Sequence, residues 1–195
     1  MKPVNTVIAA LVLSNAVYGC APLVIGGAAA VGGAAAYSRR PAGTFFNDEG
    51  IELKARLAIL KNKDLNSQIH INIISYNGIV LMVGQAPTEE LRTRAEQVVN
   101  GAAKLRQIHN EMTIAAPSSL MSRSSDTIIT GKVKAKILGI MTGNNNDGLR
   151  TKVITDNGIV YLMGLLSRAE ADAVTNVARQ VGGVQKIVKL FEYTD

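Results

Sequence analysis

At 195 residues, with a formal charge of +6, one cysteine, three phenylalanines and no tryptophan, the chain suits one or two domains with aliphatic cores, and an internal disulfide is excluded. Residues 48–117 hold eight Lys/Arg against eight Asp/Glu, whereas residues 118–195 hold ten against seven. The surplus is therefore shared between the second half and the N-terminal segment, where Lys2, Arg39 and Arg40 complete the +6, and an anionic partner is expected at the second half and the tether.

The chain opens with Lys2, an apolar run of seven residues from Val7 to Leu13, and small or neutral residues before Cys20. Seven apolar residues are too few to cross a bilayer, so residues 1–19 read as an export leader. In an exported protein the single thiol of Cys20 is free, paired between chains or modified. Residues 20–47 read as a tether. Within it, residues 21–36 are almost all Gly, Ala and Val, which suits either a flexible spacer or a small-residue helix packed closely in lipid. Arg39 and Arg40 follow, suited to anionic headgroups.

A repeat governs what comes next. Asn77-Gly78-Ile79-Val80-Leu81-Met82-Val83-Gly84 returns eighty positions later as Asn157-Gly158-Ile159-Val160-Tyr161-Leu162-Met163-Gly164. An Asn-Gly pair before a β-branched apolar run marks a tight hairpin, and two copies of it mark tandem modules. In the first module, over residues 48–116, Ile51, Ala55, Ala58 and Ile59 recur at helical spacing over residues 48–61, with Asp48 and Glu49 at the positive end of the helix. Residues 62–67 read as a polar connection. Ile69, Ile71 and Ile73 alternate with His70 and Asn72, predicting a strand with one buried face, and the hairpin follows. Thr88 caps a second helix carrying Glu89 and Glu90 in its first turn, and residues 105–114 form a third strand. Residues 117–124, rich in Ser, read as a linker allowing limited relative motion.

The second module, over residues 125–195, repeats the order: helix over 126–140, strand over 150–155, hairpin, strand to Leu165, helix from Ser167, strand from Val184. Ser167 and Glu170 have capping-box spacing. The expected fold is α+β: two tandem αββαβ modules, each a three-stranded mixed sheet with two helices on one face, its last two strands parallel through a right-handed crossover.

Neither catalysis nor a cofactor is indicated. His70 and His109 fall in different strands with no cysteine or carboxylate cluster at ligand spacing, so no metal is expected. Asn144-Asn145-Asn146-Asp147-Gly148 lacks the first and last ligands of a calcium loop and reads as a polar loop. No nucleophile, base and orienting acid assemble into an enzyme site. Export, few aromatics and a neutral first module argue against nucleic acid.

Val17-Tyr18-Gly19-Cys20 resembles the lipobox of bacterial lipoproteins, which implies diacylation of Cys20. Ala21, where an Asp would signal inner-membrane retention, implies the periplasmic face of the outer membrane. Ser125-Asp126-Thr127-Ile128-Ile129-Thr130-Gly131-Lys132-Val133-Lys134, then the second Asn-Gly motif, then Val181-Gly182-Gly183-Val184-Gln185-Lys186-Ile187, resemble the successive motifs of a BON domain; the first copy has Lys104 and Leu105 in place of Gly183 and Val184. With the lipobox, the whole chain is similar to the dual-BON-domain outer-membrane lipoproteins of the DolP (YraP) type. That resemblance implies a non-enzymatic protein supporting outer-membrane integrity, with the first helix of the second module contacting anionic phospholipid.

The helix itself fits that role. Ile129, Val133 and Ile137 form the stripe expected to face the sheet. Ile128, Gly131, Lys132, Ala135 and Lys136, with Lys134 on the flank, are expected outward, so that an apolar tip enters the headgroup boundary while amines meet phosphates. A second expectation, of another class, is an adaptor that binds an envelope protein, such as one of the outer-membrane assembly machinery, through the same basic helix.

Overall fold

The computed structural model describes Arg39, residues 42–140 and residues 150–195. The expected export leader, Cys20, the expected tether up to Ser38 and the polar loop expected at residues 144–148 lie outside the described residues.

Helix α1 (Ala42–Lys61) starts six residues before the expected Asp48. The expected polar connection is a short helix instead, α2 (Lys63–Gln68): the Asn62 side chain accepts from Leu65 N at 3.3 Å, and Leu65 itself is fully buried. Strands β1 (His70–Tyr76) and β2 (Ile79–Ala86) pair antiparallel about the Asn77-Gly78 turn, both of whose residues have positive φ. Helix α3 (Glu89–Ala102) is capped by Thr88. The expected third strand is split into β3 (Gln107–Asn110) and β4 (Thr113–Ile114), both parallel to β2. Between them Met112 turns into the core while Glu111 N keeps the ladder by donating to Met82 O at 2.9 Å.

Helix α4 (Leu120–Gly139) begins inside the expected linker, capped by Ser119. Strands β5 (Thr151–Asp156) and β6 (Ile159–Leu166) form the second hairpin, α5 (Arg168–Arg179) starts on the Ser167/Glu170 capping box, and β7 (Lys186–Tyr193) closes the sheet parallel to β6.

One buried carboxylate per module stitches the first helix to the hairpin turn. Asp48 accepts from Asn77 N and Gly78 N, both at 2.8 Å, and from Ser75 Oγ at 2.7 Å. Asp126 does the same for Asn157 N and Gly158 N at 2.8 and 2.9 Å. Backbone N–H groups at a left-handed turn have no ladder partner, and a carboxylate satisfies two of them at once.

The described parts of the two modules lie within one compact unit, residues 34–195, and are joined by far more than a linker. Ile73, Val80 and Met82 face α1 and α3, while Val153, Val160 and Leu162 face α4 and α5. The opposite faces of the two sheets meet each other: Ile74, Tyr76, Ile79, Leu81 and Val83 pack with Ile154, Tyr161 and Met163. The order of layers is helices, sheet, sheet, helices. Each large side chain so covered contributes about 1.5–3 kcal/mol, so this third core resists the relative motion expected of a linker.

Polar bonds at the rim repeat the internal symmetry. Tyr76 Oη donates to Arg150 O at 3.0 Å and accepts from Leu165 N at 3.2 Å, while at the counterpart positions Gln85 Nε2 donates to Asp156 Oδ2 at 2.8 Å. Lys152 Nζ reaches Glu52 Oε1 at 2.7 Å, and Arg39 forks onto Glu170 at 2.6 and 2.7 Å.

Candidate functional site

Helix α4 lies on an outer layer with Ile129, Val133 and Ile137 buried against its sheet. That pins the opposite arc to solvent. Ile128 is 58% exposed, and Gly131, Lys132, Lys134, Ala135 and Lys136 are exposed with it. The three lysines form no ion pair with any described residue. A Cβ at position 131 would meet open space, so the glycine is neither a close approach nor a turn.

The early start of α4 adds residues that the sequence pattern missed. Leu120 and Met121 are each 78% exposed, and Leu138 is exposed near the other end. Met121, Ile128 and Ala135 are seven apart and stand in one row, with Lys132 and Lys136 along one flank and Lys134 round the other. The hydroxyls of this half are turned back on the helix: Ser124 Oγ donates to Leu120 O at 3.0 Å, Ser125 Oγ to Met121 O at 3.2 Å and Thr127 Oγ1 to Arg123 O at 3.0 Å. The face thus shows apolar tips and free ammonium groups. The signal that would have found Leu120 and Met121 is Ser119 in cap position, with Ser122 N bonding its hydroxyl at 3.2 Å.

A second feature is a cleft of about 440 Å³ where the β1 end of one sheet meets α4 and β5. His70, Asn72, Arg123, Asp126, Thr130 and Asp156 line it. Burial and the Arg123 guanidinium push the His70 pKa down. Burial, then the neighbouring Asp126 carboxylate, raise that of Asp156, against the opposing Gln85 hydrogen bond and Arg123. Asp126 is already committed to the Asn157-Gly158 turn and Thr130 Oγ1 to Thr155 Oγ1 at 2.7 Å, so the wall is built of bonded groups rather than of a nucleophile beside a base. His70 stands in β1 and His109 in β3. The described residues contain no group of three or more His, Cys, Asp and Glu able to hold a metal ion, and no described helix is long and apolar enough to cross a membrane.

The BON domain model matches residues 47–116 and 125–195. The chain is 33% identical over 177 residues to the outer membrane lipoprotein DolP of Haemophilus influenzae, covering 91% of this chain and 90% of that one. It is 38% identical over 154 residues to the 21 kDa hemolysin of Actinobacillus pleuropneumoniae, covering 79% and 78% respectively. With the osmotically-inducible protein Y of Escherichia coli it shares 24% identity over 153 residues, 77% of this chain and 74% of the relative.

Proposed function

The chain belongs to the BON-domain family as a two-domain protein of the DolP type, and from that premise we propose that it is a lipid-anchored, non-enzymatic protein of the outer membrane whose α4 reads anionic phospholipid from the periplasmic side. Acylation of Cys20 supplies residence, and α4 supplies lipid selectivity; together they support outer-membrane integrity. The observation that carries this reading is the exposed row Met121, Ile128 and Ala135 flanked by lysines that form no ion pair with a described residue.

The energetics suit a helper contact rather than a sole anchor. Each lysine near an anionic surface contributes about 1 kcal/mol, and the apolar tips add a comparable amount when half-inserted. The sum is a few kcal/mol, weak alone but effective when an acyl anchor already holds α4 at the surface.

Co-sedimentation of residues 38–195 with anionic and with zwitterionic vesicles tests this. Binding selective for anionic vesicles is expected, weakening with salt. Loss of the Lys132 charge in Lys132→Ala should weaken partition about five-fold, the equivalent of about 1 kcal/mol. Equal binding to both vesicles, or none, would sink the lipid reading and favour an adaptor that uses the same helix on an envelope protein.

A further inference from the structure

Helix α1 carries a face like that of α4, on the other side of the body. Phe46, Leu53, Leu57 and Leu60 are 72%, 58%, 44% and 55% exposed. Their spacing puts them in one row, opposite the Ile51, Ala55 and Ile59 that pack on the first sheet. Four large apolar side chains in one row are more than scattered exposure accounts for.

The charges along this row have one dominant sign. Lys54 and Lys61 lie on one flank and form no ion pair with a described residue. Arg56, on the other flank, keeps more than half its side chain exposed while touching Glu52 Oε2 at 3.4 Å and Ile73 O at 3.2 Å. Two of the helix's carboxylates point inward: Asp48 holds the Asn77-Gly78 turn, and Glu52 takes Ser75 N at 2.8 Å and Lys152 Nζ at 2.7 Å. Glu49 alone among the acids of α1 is left on the outside.

We infer that α1 is a second bilayer-contact surface for anionic lipid, separate from that of α4. Apolar tips between amines suit an anionic headgroup boundary. A second copy of the chain is a poor occupant, because pairing α1 with α1 sets Lys54, Arg56 and Lys61 against their own kind with Glu49 as the opposing charge. Since two sheets separate α1 from α4, the two faces cannot lie on one flat patch of membrane. One body with both faces therefore bridges two bilayer surfaces, a consequence that rests on the α4 reading above.

The experiment compares binding with bridging. Residues 38–195, which contain all three cores, are mixed with vesicles containing phosphatidylglycerol, and co-sedimentation and vesicle clustering by light scattering are read together. The wild type is expected to bind and to cluster. Leu53→Ser with Leu57→Ser should still bind through α4 while clustering falls to the protein-free level; Ile128→Ser with Lys132→Ser should still bind through α1 and likewise lose clustering. If the α4 variant binds as the wild type does while the α1 variant binds nothing, α1 stands as a membrane surface, whereas the α4 reading and the bridging that rests on it fail. Binding without clustering by the wild type, or undiminished clustering by the α1 variant, overturns the inference. So does a dimer, in sedimentation of the protein alone, that the α1 substitutions dissolve, since α1 would then belong to a second copy. Circular dichroism checks that each exposed-site variant keeps its fold.

Discussion

Asp156 and Tyr76 occupy equivalent positions, each directly before its Asn-Gly turn, and each reaches into the other module. The tyrosine does so with a hydroxyl that both donates and accepts. The aspartate does so with a carboxylate that accepts from Gln85 while facing Asp126 in a half-dry cleft. Burial and that second carboxylate raise the Asp156 pKa above 3.8, so the folded chain holds this proton more tightly than the unfolded chain does. Its contribution to stability is full below 3.8 and is lost as pH rises through the raised folded value. Asp156→Asn keeps an acceptor for Gln85 and removes the charge. The variant should gain on the wild type as pH rises from about 4 to about 7, read as the difference in urea midpoints; a difference that is flat or falls with pH would show that the carboxylate is not held in its neutral form by this site. Asp48 and Asp126 were legible only as acids near a helix start. Their clamp on turns 29 to 32 positions away appears once helix and hairpin are set side by side.

At the scale of elements, the hairpins were readable because Asn-Gly and the β-branched runs after it have a single geometric solution. The start of α4 was not. Residues 118–125 are rich in serine, whose side chains normally compete with helix, yet here Ser119 caps while Ser124 and Ser125 bond back to carbonyls one turn earlier. Leu120 and Met121 face outward and so lend no buried stripe to the pattern. Likewise α2 depends on one buried leucine that periodicity does not reveal. Helix α4 carries a removable weakness in its interior, Gly131, at which an added Cβ meets nothing. Gly131→Ala should stabilise the body by about 1 kcal/mol, seen as a higher urea midpoint, with binding to anionic vesicles kept. Gly84 is the opposite case: its φ is +131° and an added Cβ would stand 2.1 Å from His70 O, so its absence of a side chain is what lets β1 and β2 close.

At the scale of the molecule, strands β2 and β6 are apolar on both faces. Ile79, Leu81 and Val83 alternate with Val80 and Met82, as Ile159, Tyr161 and Met163 do with Val160 and Leu162. A strand with helices on one face and water on the other would alternate in polarity, so the sequence does signal that something covers the second face. It does not signal what, because the residues that lock the sheets together, Tyr76 with Leu165 and Gln85 with Asp156, are 89 and 71 positions apart. With that core shared, the two modules should unfold as one. Far-UV circular dichroism follows the helices and strands of both, while the near-UV signal of tyrosine includes Tyr76 and Tyr161 inside the shared core; the two transitions in urea are expected to coincide. Leu81→Ala, at a fully buried site in that core, should cost about 2–5 kcal/mol and move both signals together. Were the near-UV signal to melt first with the far-UV signal unmoved, each module would be stable alone, and the sheet faces would be a docking contact rather than a core.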